Sequence, residues 1–301
     1  MNWHDWTDEA FTRARELERP VVLFVEASWC RWCRQLDREV LQDERIAKLL
    51  DERFVAIRVD KDRRPDLEVR YSAGGWPTLA YLDDTGEILG TDNYVEVDAL
   101  LDRLELVSTY YAEKRGEIQA TIAGLKTESA EAENAPAKPR RRGEAPELSL
   151  DIVDHVAATI VRTADPVHGG WGERHKFPHP EAIDFALVRW SQTGDSEMLD
   201  LVRRTLRQMQ KGAIWDDIDG GFYRYATAAD WSAPHYEKML DSNAQRLQAY
   251  LEAYQVLGDD AFRRTAEGCL RFLEETMLDP ELGVFRGSQD ADPVYANKRT
   301  R

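Results

Sequence analysis

The chain has 301 residues, 43% of them hydrophobic and 10% aromatic, which is enough material for two compact domains. Its 56 acidic residues outnumber 40 Lys and Arg, and the net charge of −16 argues against nucleic acid or anionic membrane as a partner. The N-terminus lacks a signal-peptide pattern, no stretch is apolar enough to span a membrane, and only three cysteines occur. We therefore expect a cytoplasmic protein that is not built on disulfides.

Strand and helix patterns alternate over the first 115 residues. Apolar and β-branched runs predict strands at 20–25, 54–60, 78–84 and 87–90, and 3.6-residue spacing predicts helices at 34–50 and 96–115. The order strand, helix, three strands and helix predicts an α/β domain over residues 1–115.

The next segment, residues 116–147, is predicted to be a linker. Its part KTESAEAENAPAKPRRRGEAPE (126–147) is rich in Ala, Glu, Pro and Arg and has no large apolar residue. Such a composition cannot bury a core, so a solvated spacer is the expected structure.

The remainder, residues 148–301, has an all-helical pattern with no convincing strand. Helices are predicted at 149–163, 180–193, 196–212, 240–257 and 259–277. The loops DPVHGGW (165–171), DDIDGGF (216–222) and DPELGVF (279–285) resemble one another, and the first two glycine pairs are 51 residues apart. A repeat of this length, with two helices in each unit, predicts stacked helical hairpins.

The segment WCRWC (29–33) lies between the first predicted strand and the first predicted helix. A thiol at a helix N-terminus is stabilised as the thiolate, so Cys30 is the predicted nucleophile and Cys33, one turn later, the resolving cysteine. The positive charge of Arg31 should favour the thiolate further. Beyond the dithiol, GGWPT (74–78) predicts a cis-proline facing it. The predicted supporting residues are Trp29, Arg31, Trp32, Trp76 and Pro77.

Zinc binding and the absence of any function are the two alternatives to a redox role for this cysteine pair. A zinc site needs four ligands, but the third cysteine, Cys269, lies far along the chain and His4 is the one histidine in the first domain, so no metal is expected. A pair without function is the stronger rival. Cys269 itself is predicted to be a small buried apolar residue.

Residues 3–110 resemble the thioredoxin-like domain of the spermatogenesis-associated, DUF255-type family in ASWCRWC, FVAIRVDKDRRPDL (54–67) and GGWP (74–77). Residues 169–290 resemble the helical part of that family in KFPHP and GGFYRYATAADWSAPHYEKMLDSNA (220–244). The resemblance implies a thioredoxin-like domain followed by part of an (α/α)6 toroid of the six-hairpin glycosidase type, with fewer helices than a full ring.

One position departs from the thioredoxin pattern. Thioredoxins proper carry a buried carboxylate six residues before the first cysteine, and this chain has Phe24 there. Glu26 is nearby and is expected on the opposite face of the strand, so proton transfer to and from Cys33 would have to use water or another group.

The loop 214–243 concentrates aromatic and acidic residues and is the candidate pocket of the helical domain. Aromatic faces stack on sugar rings and paired carboxylates can act as acid and base, although such residues at hairpin junctions are often core packing. The candidate residues are Trp215, Asp216, Tyr223, Tyr225, Trp231, His235, Glu237 and Asp241.

The leading hypothesis is a thiol–disulfide oxidoreductase acting on protein thiol or disulfide clients, with a cytosolic dithiol reductant as electron donor. The alternative is a carbohydrate-active or carbohydrate-binding toroid, with a sugar ligand and an accessory thioredoxin-like domain. A third possibility is an interaction scaffold whose cysteine pair is vestigial. No cofactor is expected under any of them.

Overall fold

The structure is a computed structural model that describes residues 2–134, 149 and 151–291, with the side chains of all of these except 125–134. The chain divides into two compact units, Met1–Ala145 and Pro146–Arg301. Each unit has a hydrophobic core of its own.

The N-terminal unit is an α/β fold built on a five-stranded sheet with the order β1–β3–β2–β4–β5. Strands β1 and β2 run parallel to β3, whereas β4 is antiparallel to both β2 and β5. The elements are β1 (Trp3–His4), α1 (Asp8–Leu17), β2 (Val21–Glu26), α2 (Arg31–Gln35), α3 (Glu44–Arg53), β3 (Val55–Asp60), α4 (Pro65–Tyr71), β4 (Thr78–Leu82), β5 (Ile88–Asp92) and α5 (Val97–Asn134). Residues 21–25 of β2 are fully buried, which is why this central strand has a continuous apolar sequence.

The predicted strands of this unit are confirmed to within two residues, but the helix predicted over 34–50 is interrupted. Helix α2 continues through a π-helical turn, Leu36–Val40, and α3 begins separately at Glu44. The Asp43 carboxylate accepts a hydrogen bond of 2.9 Å from the Arg45 amide, which caps the new helix. The short elements β1, α1 and α4 were not predicted.

The predicted linker is wrong over residues 116–134, because α5 continues without interruption from Val97 to Asn134. Ala, Glu, Lys and Gln have high helix propensity, so this polar sequence forms a helix without needing a core of its own. The helix also stays in contact with the domain beyond residue 115, since the Gln119 amide lies 3.4 Å from the Asp84 carboxylate. The rest of the predicted linker, residues 135–147, lies outside the described residues.

The second unit is helical, as predicted. Its helices are α6 (Asp151–Thr163), α7 (Pro180–Thr193), α8 (Ser196–Lys211), α9 (Leu240–Leu257) and α10 (Asp260–Phe272), the last extended by a π-helical turn over Leu273–Met277. Two-residue connections at 194–195 and 258–259 make hairpins of α7 with α8 and of α9 with α10. The predicted fold class, an α/β thioredoxin-like domain followed by an all-α domain of helical hairpins, is confirmed.

Short strands occur before α9 and after α10, contrary to the expectation of none. They are two-residue segments that pair antiparallel. Within single loops, β6 (Tyr225–Ala226) pairs with β7 (Pro234–His235) and β9 (Leu278–Asp279) with β10 (Val284–Phe285), whereas β8 (Lys238–Met239), before α9, pairs with β11 (Ser288–Gln289), after α10. Pairs this short leave little alternation for a sequence pattern to reveal.

The three similar loops share one hydrogen-bonding pattern. Each opens with an aspartate whose Oδ1 accepts from the amides two and three residues later, and each contains glycine at positive φ; the aspartates are Asp165, Asp216 and Asp279. In the first two loops a fully buried lysine, Lys176 or Lys238, binds both the aspartate and a glycine carbonyl. The repeat seen in the sequence is therefore a repeat of one ion-paired loop.

Candidate functional site

The two cysteines lie at the carboxyl end of β2, where the chain turns into α2. Cys30 is the N-cap residue of α2, and its sulfur accepts a hydrogen bond of 3.2 Å from the Cys33 amide. The Cys30 amide in turn donates to the Ala27 carbonyl at 2.9 Å, which fixes the turn. A sulfur that receives an amide hydrogen bond at a helix start is suited to carry negative charge.

The two sulfurs differ in environment. Cys33 is completely buried, whereas Cys30 retains 5% of its surface. The hydrogen bond with Cys30 and then burial raise the pKa of the Cys33 thiol far above its usual range, and the Glu26 charge raises it further. Cys33 is therefore held as a protonated thiol behind the more accessible Cys30, which is the arrangement required of a resolving cysteine.

The loop before β4 faces the dithiol. The Trp76–Pro77 peptide bond is cis, as predicted, and the Cys30 thiol points at the Trp76 carbonyl at 3.6 Å. The Asn93 side chain donates to the Gly75 and Pro77 carbonyls, both at 3.1 Å, and so holds the loop in place.

Aromatic and charged side chains surround the dithiol. The rings of Trp29 and Trp76 meet edge to face at 5.4 Å, and the Lys61 ammonium lies 5.5 Å and 5.0 Å from their respective centroids. The Trp29 indole also donates to the Asp62 carboxylate at 3.0 Å. Lys61 and Asp62 were not predicted. Their position in the sequence could have predicted it. They directly follow β3, and the carboxyl end of β3 lies beside that of β2 because the two strands are parallel.

The remaining predicted residues, Arg31 and Trp32, lie in the first turn of α2. Trp32 is 42% exposed and meets the Tyr94 ring at 5.2 Å, while the Arg31 guanidinium lies 6.0 Å from the Trp32 ring. The structure thus brings all seven predicted redox-site residues together.

The expectation that Glu26 lies on the strand face opposite Phe24 is wrong. Side chains alternate along a strand, so residues two apart share a face. The guanidinium of Arg58 contacts both, lying 5.1 Å from the Phe24 ring centroid and binding the Glu26 carboxylate through two hydrogen bonds of 2.6 Å. The position of the thioredoxin carboxylate is therefore apolar, but a carboxylate lies two residues further along the same face.

In the helical unit, three candidate pocket residues are part of the core. Asp216 is fully buried and accepts from Lys238 at 2.7 Å and from the Tyr223 hydroxyl at 3.0 Å. Trp231 is fully buried, with its indole donating to the His168 carbonyl at 2.9 Å. These residues connect the loops to one another through buried hydrogen bonds.

Two further candidates lie in separate surroundings. Trp215 packs on the Phe222 ring at 4.8 Å, beneath Gly268 of α10. Asp241 is exposed in the first turn of α9, where it caps the Ser242 amide. The structure therefore does not bring all eight candidate residues together, and sequence alone could not distinguish loop aromatics that pack in the core from those that remain open.

The other three candidates do come together. The rings of Tyr225 and His235 stack at 4.5 Å, Phe177 stacks on Tyr225 at 4.5 Å, and Phe177 is 42% exposed. The His235 Nδ1 lies 3.3 Å from a carboxylate oxygen of the buried Glu237. Burial acts to raise the pKa of Glu237, but the hydrogen bond with His235, a backbone hydrogen bond and the charges of His235 and Arg224 together outweigh it, and the pKa is lowered.

A residue that the sequence analysis missed, Arg246 of α9, lies next to this cluster. It is buried and donates from Nη2 to the Arg224 carbonyl at 2.8 Å, while the Arg224 amide donates to the Glu237 carbonyl. Its Nε and Nη1 have no acceptor among the described residues, and burial lowers the pKa of its guanidinium to about 10. Helical spacing could have predicted its burial, because position 246 falls on the same face of α9 as Asn243, Ala249 and Tyr250, which are buried.

Within the described ranges, no group of three or more His, Cys, Asp or Glu side chains is arranged to hold a metal ion. The helices described there also include none that is long and apolar enough to cross a membrane.

Residues 1–128 match the family Thioredox_DsbH, described as a protein of unknown function, DUF255. Human spermatogenesis-associated protein 20 is 29% identical over 97% of this chain and 39% of its own length, so the chain spans about two fifths of that relative. The disulfide bond reductase DsbH of Chlamydia pneumoniae is 25% identical over 30% of this chain and 60% of its own.

Among solved structures, a sugar epimerase from a ruminal bacterium is similar at 18% identity and a TM-score of 0.42, covering 47% of this chain and 39% of the epimerase. The resemblance drawn from the sequence is confirmed, because residues 1–128 match the DUF255 family and almost the whole chain is similar to spermatogenesis-associated protein 20.

Proposed function

We propose that the N-terminal unit is a thiol–disulfide oxidoreductase with Cys30 as nucleophile and Cys33 as resolving cysteine. The observation that carries the proposal is the asymmetry of the pair. The Cys30 sulfur accepts an amide hydrogen bond at a helix start and faces the Trp76 carbonyl, whereas the Cys33 thiol is buried with a raised pKa. The Cys30 sulfur is therefore suited to the first attack on a client disulfide, and the Cys33 thiol to the later resolution of the mixed disulfide.

The reaction has two exchanges. The Cys30 thiolate attacks one sulfur of a client disulfide, forming a mixed disulfide and releasing the other client sulfur as a thiolate that takes a proton. Cys33 then loses its proton and attacks the Cys30 sulfur, which forms the Cys30–Cys33 disulfide and releases the second client thiol. A dithiol reductant of the cytoplasm would return the pair to its reduced form.

The client would bind along the loop at Trp76 and Pro77. The backbone there is held by Asn93 and lies against the Cys30 sulfur, so an extended peptide passing over it presents its sulfur at the attack position. The exposed ring of Trp32 offers an apolar contact on the other side. These features favour proteins or peptides over small disulfides as clients.

A redox titration tests this function. The protein is equilibrated across graded dithiol/disulfide buffers, free thiols are trapped, and oxidised and reduced forms are separated by mass, with Cys30→Ser as the control. We expect a reversible two-electron transition. A potential near about −270 mV would indicate a reductase, and one near about −120 mV an oxidant. If no Cys30–Cys33 disulfide forms at any poise, the proposed function is wrong.

A second function, carbohydrate binding by the helical unit, is favoured by one observation. The stacked row Phe177–Tyr225–His235 presents aromatic faces beside a buried carboxylate, Glu237, and such surfaces bind sugar rings by stacking and hydrogen bonding. Titration with cellobiose and mannose, followed by NMR, tests it. Saturable shifts that Tyr225→Ala abolishes and Tyr110→Ala, an exposed aromatic of the other unit, retains would support binding. Equal responses of both variants would contradict it.

A further inference from the structure

Lys61, the first residue after β3, lies beside both tryptophans that flank the dithiol. Its ammonium is 5.5 Å from the ring centroid of Trp29, the residue before Cys30, and 5.0 Å from that of Trp76, the residue before the cis-proline. The two rings also meet each other edge to face, at 5.4 Å. A cation shared between two aromatic rings attracts both of them, so Lys61 joins the segment that carries the cysteines to the loop before β4.

Lys61 is itself held in place at both ends. Its amide donates to the Glu26 carbonyl at 2.9 Å, which ties its backbone to the last residue of β2. Its ammonium lies 2.6 Å from one carboxylate oxygen of Asp62, and the other oxygen of that carboxylate accepts from the Trp29 indole at 3.0 Å. The Lys61 side chain is 19% exposed, so its contacts with the rings are partly shielded from water, which strengthens them. The ammonium therefore has a fixed position over the two rings.

The loop 72–77, which precedes β4, is fastened on two sides. From the end of β5, the Asn93 side chain donates to two carbonyls of the loop, both at 3.1 Å. From the end of β3, the Lys61 ammonium meets the Trp76 ring. The Trp76 carbonyl faces the Cys30 sulfur at 3.6 Å, so the residue whose ring Lys61 holds is also the residue whose backbone faces the nucleophile.

We propose that Lys61 is a positioning residue of the exchange reaction. Its ammonium holds the Trp76 ring against that of Trp29. The client-binding backbone of the loop is thereby kept at a fixed distance from the Cys30 sulfur. Lys61 makes no bond to the client and transfers no proton. A small disulfide, which meets Cys30 without lying along the loop, depends on Lys61 much less than a peptide does. The inference rests on the proposed exchange function and names the residue that sets its preference for peptides.

The test compares a peptide disulfide with a small one. Reduced protein is mixed with an excess of either a disulfide-bonded peptide of no net charge or bis(2-hydroxyethyl) disulfide and quenched with acid at intervals. The oxidised protein is quantified by mass, which gives a second-order rate constant for each disulfide. We expect Lys61→Met to lower the ratio of the peptide rate constant to the small-disulfide rate constant by about 5- to 30-fold, as the loss of a partly shielded cation–π contact implies. Lys61→Arg keeps a cation and should restore the ratio to within about threefold.

Two further variants separate positioning from other effects. Lys48→Met removes an exposed ammonium that pairs with Glu52 on α3, and its ratio should equal that of the unmodified protein. Asp62→Asn weakens the hold on the Lys61 ammonium and should lower the ratio, but less than Lys61→Met does. Any effect of a lost charge on the Cys30 thiolate changes both rate constants alike and cancels in the ratio, as does a loss of folded protein.

Three outcomes decide between the possibilities. A ratio for Lys61→Met within about threefold of that of the unmodified protein would overturn the inference. Equal ratios for Lys61→Met and Lys61→Arg would also overturn it, because the effect would then not depend on the cation. If the unmodified protein is oxidised by neither disulfide, the exchange function itself has failed.

Discussion

The ammonium of Lys238 lies 2.7 Å from the carboxylate of Asp216, and neither side chain is exposed to solvent. Lys176 and Asp165 repeat the arrangement one loop earlier, where Lys176 is also completely buried. Each lysine donates in addition to a glycine carbonyl of its loop, Gly169 or Gly220. These buried ion pairs therefore stabilise the loops between the helices.

Lys238→Met should therefore destabilise the helical unit strongly. Removing one partner of a buried pair leaves the Asp216 charge without compensation, which costs about 3–5 kcal/mol. Urea unfolding followed by circular dichroism would measure the change. Arg263→Gln, which breaks an exposed pair with Glu267 on α10, is the control and should change the free energy of unfolding by less than about 1 kcal/mol.

Acid should weaken the first of these loops. Burial acts to raise the pKa of Asp165, but hydrogen bonds from Lys176 and from two loop amides outweigh it, and the pKa lies well below the usual range. A carboxylate with a lowered folded-state pKa contributes stability above its unfolded pKa of about 3.9, and this contribution is lost as the pH falls further. The free energy of unfolding should thus fall below about pH 4, and less steeply in Asp165→Asn. Parallel pH profiles for the two proteins would contradict this.

Gly220→Ala should be far more damaging than Gly258→Ala, although both glycines have positive φ. The left-handed conformation costs an alanine about 1–2 kcal/mol at either site. At Gly258 a Cβ would meet nothing within 4 Å, but at Gly220 it would lie 2.3 Å from the Gly268 carbonyl oxygen of α10. This overlap adds about 1–3 kcal/mol. Thermal unfolding of the two variants measures the difference. Equal melting temperatures would show that α10 can move away from the added methyl group without loss of stability.

Arg246→Met is expected to leave the helical unit as stable as before, or to stabilise it. The pKa of the guanidinium falls from 12.5 to about 10 on burial, which corresponds to a cost of about 3 kcal/mol for keeping it charged. A methionine of similar length removes that cost and loses one hydrogen bond, to the Arg224 carbonyl. Urea unfolding measures the change. If Arg246→Met lowers the free energy of unfolding by more than about 2 kcal/mol, the buried charge of Arg246 is compensated by its surroundings.

The sequence was most informative where local rules decide the structure. Helices α7 and α9 begin and end where predicted, because each is closed by a glycine in the left-handed conformation and α7 opens with Pro180 at its first turn. The cysteine pair at the start of α2 and the cis bond before Pro77 followed from the order of strand, motif and helix.

Contacts between residues far apart in the sequence could not be predicted from such local rules. Trp231 and Tyr225 are aromatic residues of the same loop, yet Trp231 is buried because two glycines leave space for it. A Cβ on Gly170 would lie 2.5 Å from the Trp231 ring, and a Cβ on Gly212 would lie 2.5 Å from the Trp231 Cβ. The bridge of Arg58 to Glu26 depends on the register of β2 against β3, which pairs Phe24 with Arg58. Register is set by the whole sheet and not by any short segment.

The third cysteine has a practical consequence. Cys269 is completely buried in α10, and burial raises the pKa of its thiol to about 12, so an alkylating reagent can reach it only when the helical unit opens. Cys30, which keeps a small exposed surface, is the sulfur that reagents meet first. A single labelling time course, with each cysteine followed in its own peptide by mass, would therefore record the reactivity of the redox site at Cys30 and the opening rate of the helical unit at Cys269.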